Sequence, residues 1–422
     1  MIPLLKRHLR LALAVLLMVS LAAGVLLAQQ RTDDTGPGQQ ASLGTVLEVI
    51  ALLRTYHVED VDTISLVRAY LKTGTIDGML QETIKDDYTR YMTPQAYTRF
   101  QEDTVRGEFG GIGIMVGIRN ERLTIISPIA GTPGMRAGLR GGDLIVRIDG
   151  QPTEHMSLEE AVSLMRGPEG QRVVLTIQRG EEVFDVEIIR DRIQNVSVQR
   201  YEVLTPEKVP QLSAPVGYIY LSNFNEVTAR QFDRAAAELR AAGVQGLVLD
   251  LRHNPGGLLT SALEVADRFL DSGPIVHVVA ANGERRTYNA SPGAALPPMP
   301  IVVLVNQFSA SAAEILAGAL RDNGLAVLVG ETSFGKGSVQ TVVPLRDGSG
   351  LTMTTAHYET AGGHFIHEIG IVPDVVVEVP EEELEEFFLR FEQEELDLTD
   401  PQLQRALEVL NGLMREGQQQ AA

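Results

Sequence analysis

The hydrophobic pattern changes period several times along the chain, and each change marks a different kind of element. Residues 11–28 (LALAVLLMVSLAAGVLLA) carry no charge and follow Lys6, Arg7 and Arg10. Eighteen helical residues reach ~27 Å, close to the hydrocarbon thickness of a bilayer, so residues 1–28 read as a signal peptide or a single membrane anchor with its basic side inside. Leu26-Leu27-Ala28 puts a bulky residue where cleavage prefers a small one, which tilts the reading toward an anchor. Residues 29–43 are polar with Gly and Pro and predict a linker. Over 44–104, apolar residues recur at helical spacing (Val46, Ile50, Leu53, then Ile64, Val67, Leu71), predicting an N-terminal helical region. Over 105–195 the period falls to two (Leu123, Ile125; Val173, Leu175, Ile177), predicting a β-rich module with one helix near Ser157–Met165 and a hairpin turn at Gly180-Glu181-Glu182.

Over 196–380, strands and helices alternate. GYIYL at 217–221 precedes a helical stretch at 226–242, GLVLD at 246–250 precedes a helix from about Leu258, and IVVLV at 301–305 precedes one from about Ala310. That order predicts an α/β domain, in which ligands collect at the carboxyl ends of the strands. Residues 381–400 then hold ten acids and one Arg, a local charge of −9, while helical spacing continues through Leu403, Leu407 and Leu410. This predicts a solvated acidic helical arm over 381–422.

Composition narrows the functions. A chain of 422 residues is long enough for two or three cores in series. Its net charge of −19, with no basic stripe, disfavours binding to nucleic acid. The absence of cysteine removes disulfides, thiolate metal sites and cysteine nucleophiles together. Two stretches imitate phosphate loops without completing them. Gly111-Ile112-Gly113 with Gly117 has a last spacing one residue too long, and β-rich sequence follows it. Gly330-x4-Gly335-Lys336 continues with Gly337 where a P-loop needs Ser or Thr, and with a strand where it needs a helix.

The glycines at 107–118 (GEFGGIGIMVGI) suit another task. Around Gly110, Gly111, Ile112 and Gly113, several backbone N–H groups can converge without Cβ obstruction, as capture of a peptide's terminal carboxylate requires. The following strand can accept a peptide as an added strand. With Ala137-Gly138-Leu139 and Gly142-Asp143-Leu144-Ile145, this stretch resembles a PDZ domain. A β-sandwich whose glycines only make turns is the alternative.

Three loops of the α/β region carry candidate chemistry: Asp250-Leu251-Arg252-His253-Asn254-Pro255-Gly256-Gly257, Asn306 to Glu314 (NQFSASAAE), and Gly330 to Gln340. A serine hydroxyl becomes a nucleophile when a base takes its proton, and a neutral lysine can serve if burial lowers its pKa from ~10.4. Lys336 sits between two glycines, and Ser311 opens a helix of small residues. Ser311-Ala312-Ala313-Glu314 is also a capping box, so Ser311 could simply cap its helix. Ser309 is a rival two residues away. His253, beside Asp250, is the tempting alternative base. His364 and His367 lack the spacing of a zinc helix and are expected on a strand or turn facing solvent.

Taken together, Asp86-Asp87-Tyr88-Thr89-Arg90-Tyr91-Met92, the PDZ-like module, GYIYLSNF, the NPGG loop, SASAAE, GETSFGKGSVQ and Gly370-Ile371-Val372-Pro373-Asp374 resemble the carboxyl-terminal processing peptidases, tail-specific serine proteases. The resemblance implies an α/β (α+β multidomain) fold, with a crotonase/ClpP-like protease core, an inserted PDZ domain and terminal helical regions. By it, Ser311 is the nucleophile, Lys336 the base and Gln340 the residue that orients Lys336. Ala312, Gly256 and Gly257 would form the oxyanion hole, and Asp322 would be a possible accessory acid. It further implies an extracytoplasmic enzyme without metal or cofactor, acting on proteins with exposed apolar C-terminal tails. A homodimer through the terminal helical regions would be possible. A non-catalytic tail-binding scaffold is the competing reading.

Overall fold

A computed structural model describes residues 41–119, 122–129, 131–293, 296–380 and 396–421. The predicted export segment, nearly all of the linker and most of the acidic run lie outside them. No helix among the described residues is long and apolar enough to cross a membrane. The described residues form two compact units, one within residues 99–197 with 225–231 and one made of the other described residues.

The larger unit is built on a sheet ordered Val198–Leu204, Val216–Leu221, Leu247–Asp250, Ile301–Val305, Ala326–Gly330, Val375–Val376. All pairings are parallel except that of the first strand, which runs antiparallel on the edge. The central strands are buried along their whole length, as both-face burial of a parallel sheet requires. One face packs against the C-terminal helix Pro401–Ala421, whose Leu403, Ala406, Leu407, Leu410 and Met414 share a core with Tyr218, Val248, Val302 and Val329. For the helix from Pro401 this corrects the expectation of a solvated arm. The helical spacing belongs to a core layer, and each such leucine is worth about 2–5 kcal/mol against alanine. The same burial removes these side chains from any dimer surface. Leu249, Val303 and Leu328, which alternate with the first set, are also fully buried.

Helix Ala312–Asp322 packs on strand Ala326–Gly330 and against Pro274–Ala280 and Gly350–Thr360 of a second, antiparallel sheet. The N-terminal helices Leu43–Tyr56, Thr63–Thr73 and Ile76–Thr83 are started by Ser42, Asp62 and Thr75, whose side chains accept from backbone N–H groups of the first turn. Their Val46, Leu53, Leu66 and Met79 join Leu345, Leu351 and Met353, so this region is an outer layer of the larger unit. Within the motif at 86–92, Arg90–Met92 forms a short strand paired to Gly350–Thr352, which helical periodicity did not anticipate.

The smaller unit has a sheet ordered Ile114–Arg119, Arg122–Pro128, Leu144–Ile148, Arg172–Arg179, Glu182–Ile189, antiparallel throughout. Its core is Leu123, Ile125, Ile145, Ile148, Val173, Leu175 and Ile177. Helix Leu158–Met165, started by the reciprocal Ser157–Glu160 capping box, lies beside the edge strand Ile114–Arg119.

Candidate active site

The parallel register brings the three loops to one edge of the larger unit. Tyr220 is level with Asp250, Asp250 with Leu304, and Val305 with Gly330, so the segments after each strand leave on the same side. Gly330 has φ 127°, and a Cβ there would lie 2.1 Å from the Val305 carbonyl oxygen. Only glycine permits the chain to turn away at that point.

Ser311 stands at φ 55° and ψ −115°, far from the extended conformation of an ordinary N-cap. A non-glycine residue held there stores backbone strain, a condition concentrated at functional sites. Its N–H donates to Glu314 Oε2 at 2.7 Å. The same oxygen accepts the N–H of Lys336 at 3.0 Å, while Glu314 Oε1 accepts the Gly335 N–H at 2.8 Å and the Ser333 hydroxyl at 2.5 Å. One buried carboxylate therefore ties the backbone of the serine loop to that of the lysine loop. In sequence Glu314 looked like half of a capping box, and nothing local announced its partners 19 to 22 residues away.

Lys336 is half-buried, and its Nζ lies 4.4 Å from the centre of the Tyr88 ring, which comes from the 86–92 motif. Burial, and after it the charge of Arg90, holds the amine below its usual pKa of 10.5, opposed by the Glu314 carboxylate. Gly256 packs directly on the serine: a Cβ there would lie 2.7 Å from Ala310 O, 2.8 Å from Ser311 Cβ and 2.9 Å from Ala312 N. The Gly256 N–H is engaged by Asn254 Oδ1 at 2.8 Å. Those of Gly257 and Ala312 have no hydrogen bond among the described residues.

Comparison with known proteins decides the family. The sequence model of peptidase family S41 matches residues 215–377, and that of the PDZ domain matches residues 124–179. A carboxy-terminal-processing protease of Bartonella bacilliformis is 37% identical over 369 residues, 85% of this chain and 80% of that protein. The chain belongs to the carboxyl-terminal processing proteases. A member from Synechocystis sp. is 40% identical over 339 residues, 80% of this chain and 76% of that one. The structure is also similar to a photosystem II D1 C-terminal processing protease, with TM-score 0.53 and 29% identity, covering 84% of this chain and 98% of the other. This is a serine-type peptidase with a PDZ domain, which sets aside the scaffold reading.

Ser309 is fully buried, its hydroxyl donating to Leu251 O at 2.8 Å and accepting the Asn306 N–H at 2.9 Å, so it braces the two loops. Asp250 does not face His253 as a triad would demand. Its carboxylate takes the Arg252 guanidinium at 2.6 Å and the Tyr218 hydroxyl at 2.8 Å. His253 stacks on Phe308, and burial, then Arg252, lowers its pKa to about 4. Gln340 Nε2 donates to Ser338 Oγ at 2.9 Å on the strand that follows Lys336. Asp322 ends the Ser311 helix about 16 Å along its axis. There it accepts the Gly362 N–H at 2.8 Å and Arg321 Nε at 3.0 Å, which gives it the work of fixing a hairpin. His364 is exposed, whereas His367 is half-buried with its ring centre 5.0 Å from that of His357.

In the PDZ unit, the expected carboxylate-binding residues form a tightly folded corner. Gly110 and Gly111 end a strand paired with Asp191–Gln194, and Ile112 is buried. Gly113 has φ 68° and abuts Thr132, whose hydroxyl donates to its carbonyl at 2.8 Å. Beyond this corner, Ile114 and Val116 of the edge strand and Val162 of helix Leu158–Met165, all half-buried, pack against the unit's core as an apolar seam.

Proposed function

We propose that Ser311 and Lys336 form the catalytic dyad of this protease. Ser311 Oγ attacks the scissile carbonyl as neutral Lys336 Nζ takes its proton, and the resulting oxyanion receives the N–H groups of Gly257 and Ala312. Collapse breaks the C–N bond and expels the amine, which takes the serine's proton from Lys336, leaving an acyl-serine. Water, deprotonated by the same lysine, then hydrolyses the ester. The observation that carries this reading is the single Glu314 oxygen shared by the Ser311 and Lys336 N–H groups. With Gly256 N–H bonded within its own loop, the hole is assigned to its neighbour Gly257 and to Ala312.

The PDZ unit captures the C-terminal tail of a partly unfolded protein. The tail adds to the free edge of strand Ile114–Arg119, its terminal carboxylate meets the backbone at Gly110–Gly113, and its apolar side chain enters the seam beside Val162. Substrates with apolar tails suit such a seam. The basic, then uncharged start of the chain supports action outside the cytoplasm, at the membrane or beyond it.

Cleavage of an unstructured polypeptide with an apolar C-terminus tests the dyad. Ser311→Ala should lower kcat by at least ~10⁴-fold, and Ser309→Ala, if folded, should retain most of it. The reverse order of effects would reject the assignment.

A further inference from the structure

We infer that Asp400, at the start of the C-terminal helix, is a positioning residue for the Gly256-Gly257 loop and acts through the Arg252 guanidinium. The inference rests on the reading of Ser311 as nucleophile and adds a part of the chain that the S41 match, ending at residue 377, does not reach.

Arg252 is fully buried and opens the loop. Its Nε lies 3.0 and 3.1 Å from the two Asp250 oxygens, and its Nη2 lies 2.6 Å from Asp250 Oδ2. Nη1 reaches across to Asp400 Oδ2 at 2.6 Å and Gln402 Oε1 at 3.1 Å. Asp250 alone already balances the guanidinium charge. Asp400, itself buried, leaves the cluster with an excess negative charge, which burial disfavours. What the second carboxylate adds is direction, since it holds the far prong of a rigid planar fork.

Asp400 is in turn fixed by its helix. Its other oxygen, Oδ1, accepts the N–H groups of Gln402 at 2.9 Å and Leu403 at 3.3 Å, the bonds of an N-cap. From Arg252 the constraint passes along a short, bonded path. The His253 N–H donates to Asn306 Oδ1 at 3.0 Å, the Gly256 N–H to Asn254 Oδ1 at 2.8 Å, and the Phe224 N–H to Gly256 O at 2.9 Å. The next N–H along is that of Gly257. A displacement of a fraction of an ångström there weakens an oxyanion contact without altering how substrate binds.

The two jobs of Asp400 can be separated. Serine caps helices as well as aspartate does but is too short to reach Arg252 while capping, so Asp400→Ser keeps the helix start and removes the link. In the full chain, on the same unstructured polypeptide, Asp400→Ser should lower kcat by about 10- to 100-fold with KM within about twofold. It should weaken binding of a peptide aldehyde, whose adduct oxygen occupies the hole, by a similar factor. Leu407→Ala, deeper in the same helix, should lower the melting temperature yet leave kcat of the folded enzyme unchanged. The inference is overturned if Asp400→Ser keeps wild-type kcat, or loses activity only in proportion to the fraction unfolded by circular dichroism. Cleavage that survives Ser311→Ala would overturn the active-site reading, and this inference with it.

Discussion

At Ser311 a non-glycine residue is held at φ 55°, beneath a glycine with no room for a Cβ, between buried ions that fix both neighbouring loops. At the PDZ edge strand Ile114–Arg119, the backbone pairs with a strand on one side only among the described residues, and its Ile114 and Val116 are half-buried. The first arrangement spends stability on fixed geometry, as a charge developing in a transition state requires. The second leaves main-chain groups open, as recognition of varied tails by strand addition requires. The difference predicts that damage to the first region appears in kcat and damage to the second in KM.

Glycine substitutions test that division most severely. Gly256→Ala places a methyl group against Ala310 O, Ser311 Cβ and Ala312 N at a φ of 97°. It should lower kcat by about 10²- to 10³-fold, with KM little changed, in steady-state kinetics on an apolar-tailed polypeptide. Gly113→Ala meets Thr132 at 2.3 Å and should raise KM for the same substrate by about tenfold while leaving turnover of a short tail-less peptide intact. Equal kcat losses on both substrates from Gly113→Ala would erase the distinction.

The pH profile sharpens the catalytic side more gently. Lys336 acts as a neutral amine, so kcat/KM should rise with pH along a limb centred below 10.5, because burial and Arg90 depress its pKa. Removing Arg90 by Arg90→Gln removes one of those depressing influences and should move the limb upward slightly, by an amount that shrinks with salt. His253→Phe should leave the limb in place. A limb that followed the histidine would make His253 the base.

Much of this site was legible because its parts sit where a periodic pattern stops. Strands at 217–221, 247–250 and 301–305 were readable as apolar runs, so the loops after them were already candidates for one rim. The small residues around Ser311 and the glycines around Lys336 stood out for the same reason. What stayed hidden depends on long separations or on φ. Neither the strain at Ser311 nor the bonds from Glu314 to the 333–336 loop leaves a local signature. The Arg252–Asp400 pair spans 148 residues. The C-terminal helix showed its spacing at Leu403, Leu407 and Leu410, but the acidic run before it suggested solvent, and only tertiary packing reveals the face it buries. Arg90–Met92 is too short for any periodicity to report.

The central claim is that Lys336 supplies the base for Ser311. The most direct measurement is the cleavage rate of an unstructured, apolar-tailed polypeptide by wild type and by Lys336→Met, which keeps an unbranched apolar side chain and removes the amine. The account predicts that the variant folds and binds the tail as wild type does, yet cleaves at least ~10⁴-fold more slowly at every pH. Cleavage by Lys336→Met at a rate near that of wild type would contradict it.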